Sequence, residues 1–413
     1  MVLTFLALST TPTSRLCCVA FTPATSLPFR KATTEFSLRA STLKSNSISV
    51  RRTMSVSPLA AQNQVKLSFG ELPPASDVDT TVLIAKKSFL KEHQDKLTTM
   101  LDMAVDVETI QAMVKETGEG SSTTTFCKAQ RLTLAAVPDT VTRHNHPWSV
   151  HTVTDLVAST ATKGSKVRLV FGGVSQTYVA PLASAVAKAF SLYSRKTNGI
   201  DKKDDEGETK DESKTLSVSF LDEQDHAVVS DTATLQAASA VAEGVQLAAR
   251  LVDMTPEELT TDAYAQECRT LAKELGVTMT EIVGEELNEK GYGGIYGVGK
   301  AATCPPRLII MEYNPSDESP PTETVALVGK AIVYDTGGLS LKPKVGMCGM
   351  KVDMGGSAGL LGGFCSAVKL KAKQKITLLL CLAENAIGPT AFRNDDILTL
   401  YSGKTVEVNN CGT

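Results

Sequence analysis

The chain has 413 residues, 42% of them hydrophobic, with 42 Lys and Arg against 45 Asp and Glu and a formal net charge of -3. That length supports two domains with cores of their own, and the charge balance excludes a chain-wide basic field for nucleic acid. Nine cysteines, an odd number without a CxxC pair, argue against a disulfide framework and for a reducing compartment, and no apolar run approaches the roughly 18 residues of a membrane span.

Residues 1–60 stand apart. They carry Arg15, Arg30, Lys31, Arg39, Lys44, Arg51 and Arg52 against the single acid Glu35, and they are dense in Ser and Thr. This is the composition of a mitochondrial or chloroplast targeting leader; a disordered tail, or a true start at Met54, is the plainer alternative. Either reading sets them outside the fold. Residues 63–245 read as a smaller N-terminal α/β domain. Within it, 167–171 is an apolar run closed by Gly172-Gly173 and predicts a strand, 181–193 is alanine-rich at helical spacing, and 216–221 predicts another strand. The stretch 195–214 is mostly Lys, Asp and Glu without periodicity, a solvated surface insertion.

Asp231 can cap a long helix whose Leu235, Ala238, Val241, Val245, Ala248 and Val252 fall on one face, and this helix bridges to a second domain at 254–413. A helix over 264–275 stops at Gly276. Strands are expected at 308–313, 324–328, 331–334, 376–382 and 405–408, with a helix after the glycines that follow Asp353. The alternation implies a larger α/β domain with a mixed, mostly parallel sheet. No strand precedes Gly294–Ala301, and Ala301 stands where a phosphate-binding loop needs Ser or Thr, so a nucleotide-binding reading is weak.

All five histidines, His93, His144, His146, His151 and His226, lie before residue 254, so chemistry in the second domain must use carboxylates, lysines or cysteines. His144, His146 and His151 could form a metal cluster but read better as a surface loop beside Pro147 and Trp148. Cys348 and Cys365 lack a histidine base and read as loop and core residues. One stretch concentrates charge among glycines. A strand carries Lys330 and ends at Asp335, Gly337-Gly338 allow a tight turn, and Lys342 and Asp353 follow. Sites form at the carboxyl ends of strands in open α/β sheets, so these four side chains can converge on one crevice.

The segment from Val328 through Lys330, Asp335-Thr336-Gly337-Gly338, Lys342, Met350 and Asp353-Met354-Gly355-Gly356 resembles the leucine aminopeptidase (cytosol aminopeptidase) family of dinuclear metallopeptidases, and is closest in wording to its probable-aminopeptidase branch. Arg250-Leu251-Val252-Asp253-Met254-Thr255-Pro256, Ala383-Glu384-Asn385 and Tyr401-Ser402-Gly403-Lys404 extend the likeness over roughly 245–410. The resemblance implies that Lys330 ligates one metal through a neutral amine, that Asp335 bridges two metals and that Asp353 is a terminal ligand. It makes Lys342 the catalytic lysine, which polarises the peptide carbonyl, and Met350 a wall of the pocket for the first side chain. It further implies two divalent ions (manganese or zinc, or magnesium), a bicarbonate in the intact site, a peptide substrate, cytoplasmic location and a homo-hexamer, with no nucleic-acid or membrane partner.

The family's second ligand segment reads Asn-Thr-Asp-Ala-Glu-Gly-Arg. Here Asn410-Cys411-Gly412-Thr413 stands in its place, so two carboxylate ligands and an arginine are missing from the pattern. Lys330, Asp335 and Asp353 hold two cations poorly on their own. The expectation is a fold incomplete at its C-terminus, an interrupted gene model, and apolar surface left bare where 405–408 should lie in mid-sheet. The competing function is a catalytically inactive member serving as scaffold or binding subunit.

Overall fold

A computed structural model describes residues 65–128, 130–162, 164–194, 214–224, 227–315 and 323–412. The expected leader at 1–60, most of the charged insertion at 195–214, and His226 lie outside the described residues. The first sheet holds β1 (Val65–Phe69), β2 (Thr80–Lys86), β3 (Ser122–Cys127), β4 (Gln130–Val137), β5 (Lys166–Val174) and β6 (Lys214–Asp222), in the order β1-β6-β5-β2-β4-β3. Every pairing is parallel except β3–β4. The central strands are buried along almost their whole length, as a sheet covered on both faces requires.

Helices α1 (Lys87–His93), α2 (Leu97–Met100) and α3 (Val107–Glu116) belong to one apolar cluster on this sheet; α4 (Val150–Thr160) and α5 (Val179–Lys188) belong to the other. The expected elements at 167–171, 181–193 and 216–221 are β5, α5 and β6, with α5 ending five residues early.

Asp231 caps α6 (Thr232–Asp253) through its Oδ2, which accepts from Thr234 N at 2.8 Å. The helix packs on α5 and, on its other side, on a later helix. The face read from the sequence is corrected in part. Of those six residues only Ala238 is fully buried; the small residues Ala240, Ala242 and Gly244 are buried beside it. Small residues win there because two helices press on α6 at once, and large ones would hold them apart.

Beyond α6 come α7 (Thr261–Leu275), closed by Gly276 at φ 66°, then β7 (Thr278–Val283), α8 (Glu285–Glu289), α9 (Gly293–Gly299), β8 (Arg307–Tyr313), β9 (Thr324–Asp335), α10 (Lys344–Met347), α11 (Gly355–Lys369) and β10 (Lys375–Asn385). The second sheet, β7-β8-β10-β9, is mixed as expected, but its parallel share is one pairing, β10–β9; β7–β8 and β8–β10 are antiparallel. The strands expected at 324–328 and 331–334 are one. Gly329 does not break β9. It lies under α11, where a Cβ would stand 2.7 Å from Ser357 Cα.

The expected mid-sheet strand at 405–408 is also corrected. It is β12 (Thr405–Glu407), paired antiparallel with β11 (Ile397–Thr399) in a separate two-stranded ribbon. The turn at Gly403, φ 77°, closes that hairpin locally, and a local partner costs less loop entropy than a distant one. Ile397, Tyr401 and Val406 are exposed on it. Among the described residues, no helix is long and apolar enough to cross a membrane.

Candidate metal centre

The four charged residues meet where β9 ends. Lys330 sits in mid-strand, and Asp335 is the last residue of β9, buried to 1% exposure. Lys342 follows on the loop, and Asp353 lies in a single 3-10 turn, Met350–Met354, that feeds α11. Two ion pairs join them: Lys330 Nζ to Asp353 Oδ1 at 3.1 Å, and Lys342 Nζ to Asp335 Oδ2 at 3.0 Å. The loop reaches back because Gly337 and Gly338 both take positive φ, 85° and 58°. A Cβ on Gly337 would collide with the Ser340 carbonyl, 2.6 Å away. Met350 is half-buried at the start of the Asp353 turn.

The two acids differ in environment. Burial pushes the Asp335 carboxyl upward, but hydrogen bonds from Lys342, Gly337 N and Asn385 outweigh it and hold the pKa below the ordinary value. For Asp353 burial prevails over Lys330, with repulsion from Asp335 adding to it, and the pKa is raised. Glu384, one residue before Asn385, is also raised by burial.

Three neighbours had no site role from the sequence. Asn385, fully buried at the end of β10, donates through Nδ2 to Asp335 Oδ1 at 2.8 Å. Gly337 N donates to the same oxygen at 2.8 Å. Lys351 Nζ donates to the Asp253 carbonyl, tying the Asp353 turn to the end of α6. The sequence shows Asn385 only as a polar residue closing the strand; its burial, which demands partners, is visible only in the fold.

Other candidates separate from this site. His146 stacks edge-on against Tyr178 at 5.2 Å and accepts from Trp148 N, a loop role, with burial lowering its pKa. Of the residues 294–301, weighed above as a phosphate loop, 294–299 lie in helix α9 instead. Cys348 is exposed; Cys365 is in the core, its thiol pushed up to about 12 by burial. Among the described residues no group of three or more His, Cys, Asp and Glu gathers as a ligand set. The candidate donors are therefore two carboxylates and one amine. Such a set suits one divalent ion with open positions, and a second ion needs further carboxylates.

Comparison with known proteins agrees with the fold. Residues 246–413 match the model of the cytosol aminopeptidase family, catalytic domain, and residues 79–199 match the M17 aminopeptidase N-terminal domain 2. The chain is 46% identical over 279 residues to the mouse protein called probable aminopeptidase NPEPL1, covering 67% of this chain and 51% of that one. It is 38% identical over 282 residues to leucine aminopeptidase 1 of Caenorhabditis elegans, covering 67% and 53%. The leucyl aminopeptidase of Trypanosoma brucei, solved in complex with bestatin, superposes with a TM-score of 0.70 at 32% identity, over 85% of this chain and 68% of that one. The chain spans about half the length of the curated relatives it matches.

Proposed function

Because the chain belongs to the cytosol aminopeptidase family, we propose that it is a metal-dependent aminopeptidase that releases N-terminal residues, apolar ones foremost, from unblocked peptides. The observation that carries this reading is the convergence of Lys330, Asp335, Lys342 and Asp353 into two ion pairs at the end of β9. Asp335, Asp353 and Lys330 would hold a divalent ion, manganese, zinc or magnesium. A bound ion supplies Lewis acidity and makes an attacking hydroxide available near neutral pH. With the carboxylates and arginine that the family pattern adds, a second ion and a bicarbonate complete the set.

Lys342 acts on the substrate. Its side chain is a quarter exposed and lies beside Asp335 Oδ2, so it reaches the site from the solvent side. From there it donates to the scissile carbonyl oxygen and strengthens as charge develops on that oxygen. Met350, in the Asp353 turn, offers an apolar wall to the first side chain. The domain limits 63–245 and 254–413, and assembly as a homo-hexamer, form part of the same proposal.

The test is hydrolysis of leucyl anilide with added manganese. Turnover that disappears in Lys342→Ala supports the enzyme. The presence of only two carboxylates at the site among the described residues favours a second reading, a binding subunit without turnover. Manganese binding without hydrolysis selects that one.

A further inference from the structure

We propose that Asn385 is a positioning residue that makes Asp335 a one-oxygen ligand, turning Oδ2 toward the cation and withholding Oδ1; this rests on the metal-site reading above. The backbone prepares the contact. Along the parallel β9–β10 pairing Ala383 stands opposite Ile332, and an unbroken register would set Asn385 opposite Tyr334. The register shifts between Ala383 and Asn385, so Asn385 stands opposite Asp335 instead. Such an irregularity re-aims one side chain without disturbing the rest of the strand.

The hydrogen bonds then divide the carboxylate. Oδ1 accepts from Asn385 Nδ2 and from Gly337 N, each at 2.8 Å, which uses both of its lone-pair directions. Oδ2 faces only Lys342 Nζ, at 3.0 Å. A cation approaching Asp335 would therefore compete only with the Lys342 ammonium, and only for Oδ2.

Asn385 is itself held. Its second Nδ2 proton goes to the Cys411 carbonyl at 2.8 Å, and its own carbonyl accepts from Thr336 N at 3.1 Å and from Thr336 Oγ1 at 2.6 Å. Gly338 leaves the room, since a Cβ there would stand 2.9 Å from Asn385 Oδ1. Asn385 is fully buried, its Nδ2 held between Asp335 Oδ1 and the Cys411 carbonyl and its backbone carbonyl held by Thr336, so the amide keeps its place when a cation arrives. Partners of this kind orient metal ligands, and losing one typically weakens metal affinity by roughly 10–100-fold.

The experiment is calorimetric titration of the chain with manganese chloride, for wild type, Asp335→Ala and Asn385→Ala, beside the thermal midpoint of each. The expected result is loss of binding in Asp335→Ala and an affinity roughly tenfold or more weaker in folded Asn385→Ala. If the alanine variant does not fold, Asn385→Ser, smaller and still polar, carries the same expectation. Manganese affinity within twofold of wild type in a folded Asn385 variant, while Asp335→Ala loses binding, overturns the inference and leaves the site standing. Unchanged binding in Asp335→Ala overturns the site and the inference with it.

Discussion

Gly362→Ala should destabilise the protein although alanine is the better helix former. Gly362 of α11 crosses Gly244 of α6 with nothing between the backbones. A Cβ on Gly362 would overlap the Gly244 carbonyl oxygen and stand 2.9 Å from its carbonyl carbon; a Cβ on Gly244 would stand 2.6 Å from the Gly362 oxygen. Backbone atoms cannot rotate aside, so relief to an ordinary 3.4 Å from the Gly244 carbonyl oxygen parts the helices by about 1 Å. Overpacking of this kind costs about 3 kcal/mol at its upper end, and the gain in helix propensity returns about 1 kcal/mol. The net loss of about 2 kcal/mol lowers the thermal midpoint by roughly 4–8 °C. Gly356 in the same helix is the control. A Cβ there meets only the Lys330 carbonyl oxygen, at 3.9 Å, so Gly356→Ala should keep part of the propensity gain and raise the midpoint slightly. Differential scanning fluorimetry on the pair decides. A Gly362→Ala midpoint equal to or above wild type refutes the close crossing, whatever Gly356→Ala does.

Lys342→Met should abolish turnover yet bind manganese at least as tightly as wild type, because its ammonium occupies the Asp335 oxygen a cation needs; calorimetry that shows binding lost would make Lys342 a ligand instead. Glu267→Ala removes the carboxylate paired with the mostly buried Arg250 and should cost about 3 kcal/mol in urea unfolding, a loss below 0.5 kcal/mol being contrary. Asp79 receives hydrogen bonds from Lys166 N and from the Ser165 hydroxyl and backbone N, which hold its pKa below the ordinary 3.8. Its folded pKa is depressed, so its contribution is present above the unfolded value and fades as pH falls through the folded one. Asp79→Asn should therefore flatten the stability loss below about pH 4 in urea midpoints taken from pH 5 downward, and an unchanged slope would count against it.

Local rules made part of this molecule legible. Asp231 and Gly276 are cap residues whose chemistry acts within a turn of the chain, and both capped where expected. The four charged site residues were legible because they lie within 24 positions of one another, separated by glycines that could only mean close turns. What failed was partner choice. The residues 405–408 suit a strand in either the large sheet or a hairpin, and strand propensity does not name the neighbour. The α6 face was misjudged because hydrophobic periodicity weighs Leu and Val above Ala and Gly. Packing reverses that order where two helices cross at backbone distance.

Gly329 and Asn385 show why the rest could not be read. In the sequence, Gly329-Lys330 looks like a strand break; in the fold, the glycine is the price of seating α11 over a continuous strand, which carries Lys330 to the site. Asn385 is 50 residues from Asp335, and their contact depends on a parallel pairing and a one-residue shift within it. No pattern within either segment encodes that shift. The ligands of a site can thus be read from one stretch of chain, while the group that aims them belongs to a different strand and becomes visible only when the register is known. The aiming group, rather than the ligands, is therefore where a structure adds most to this sequence.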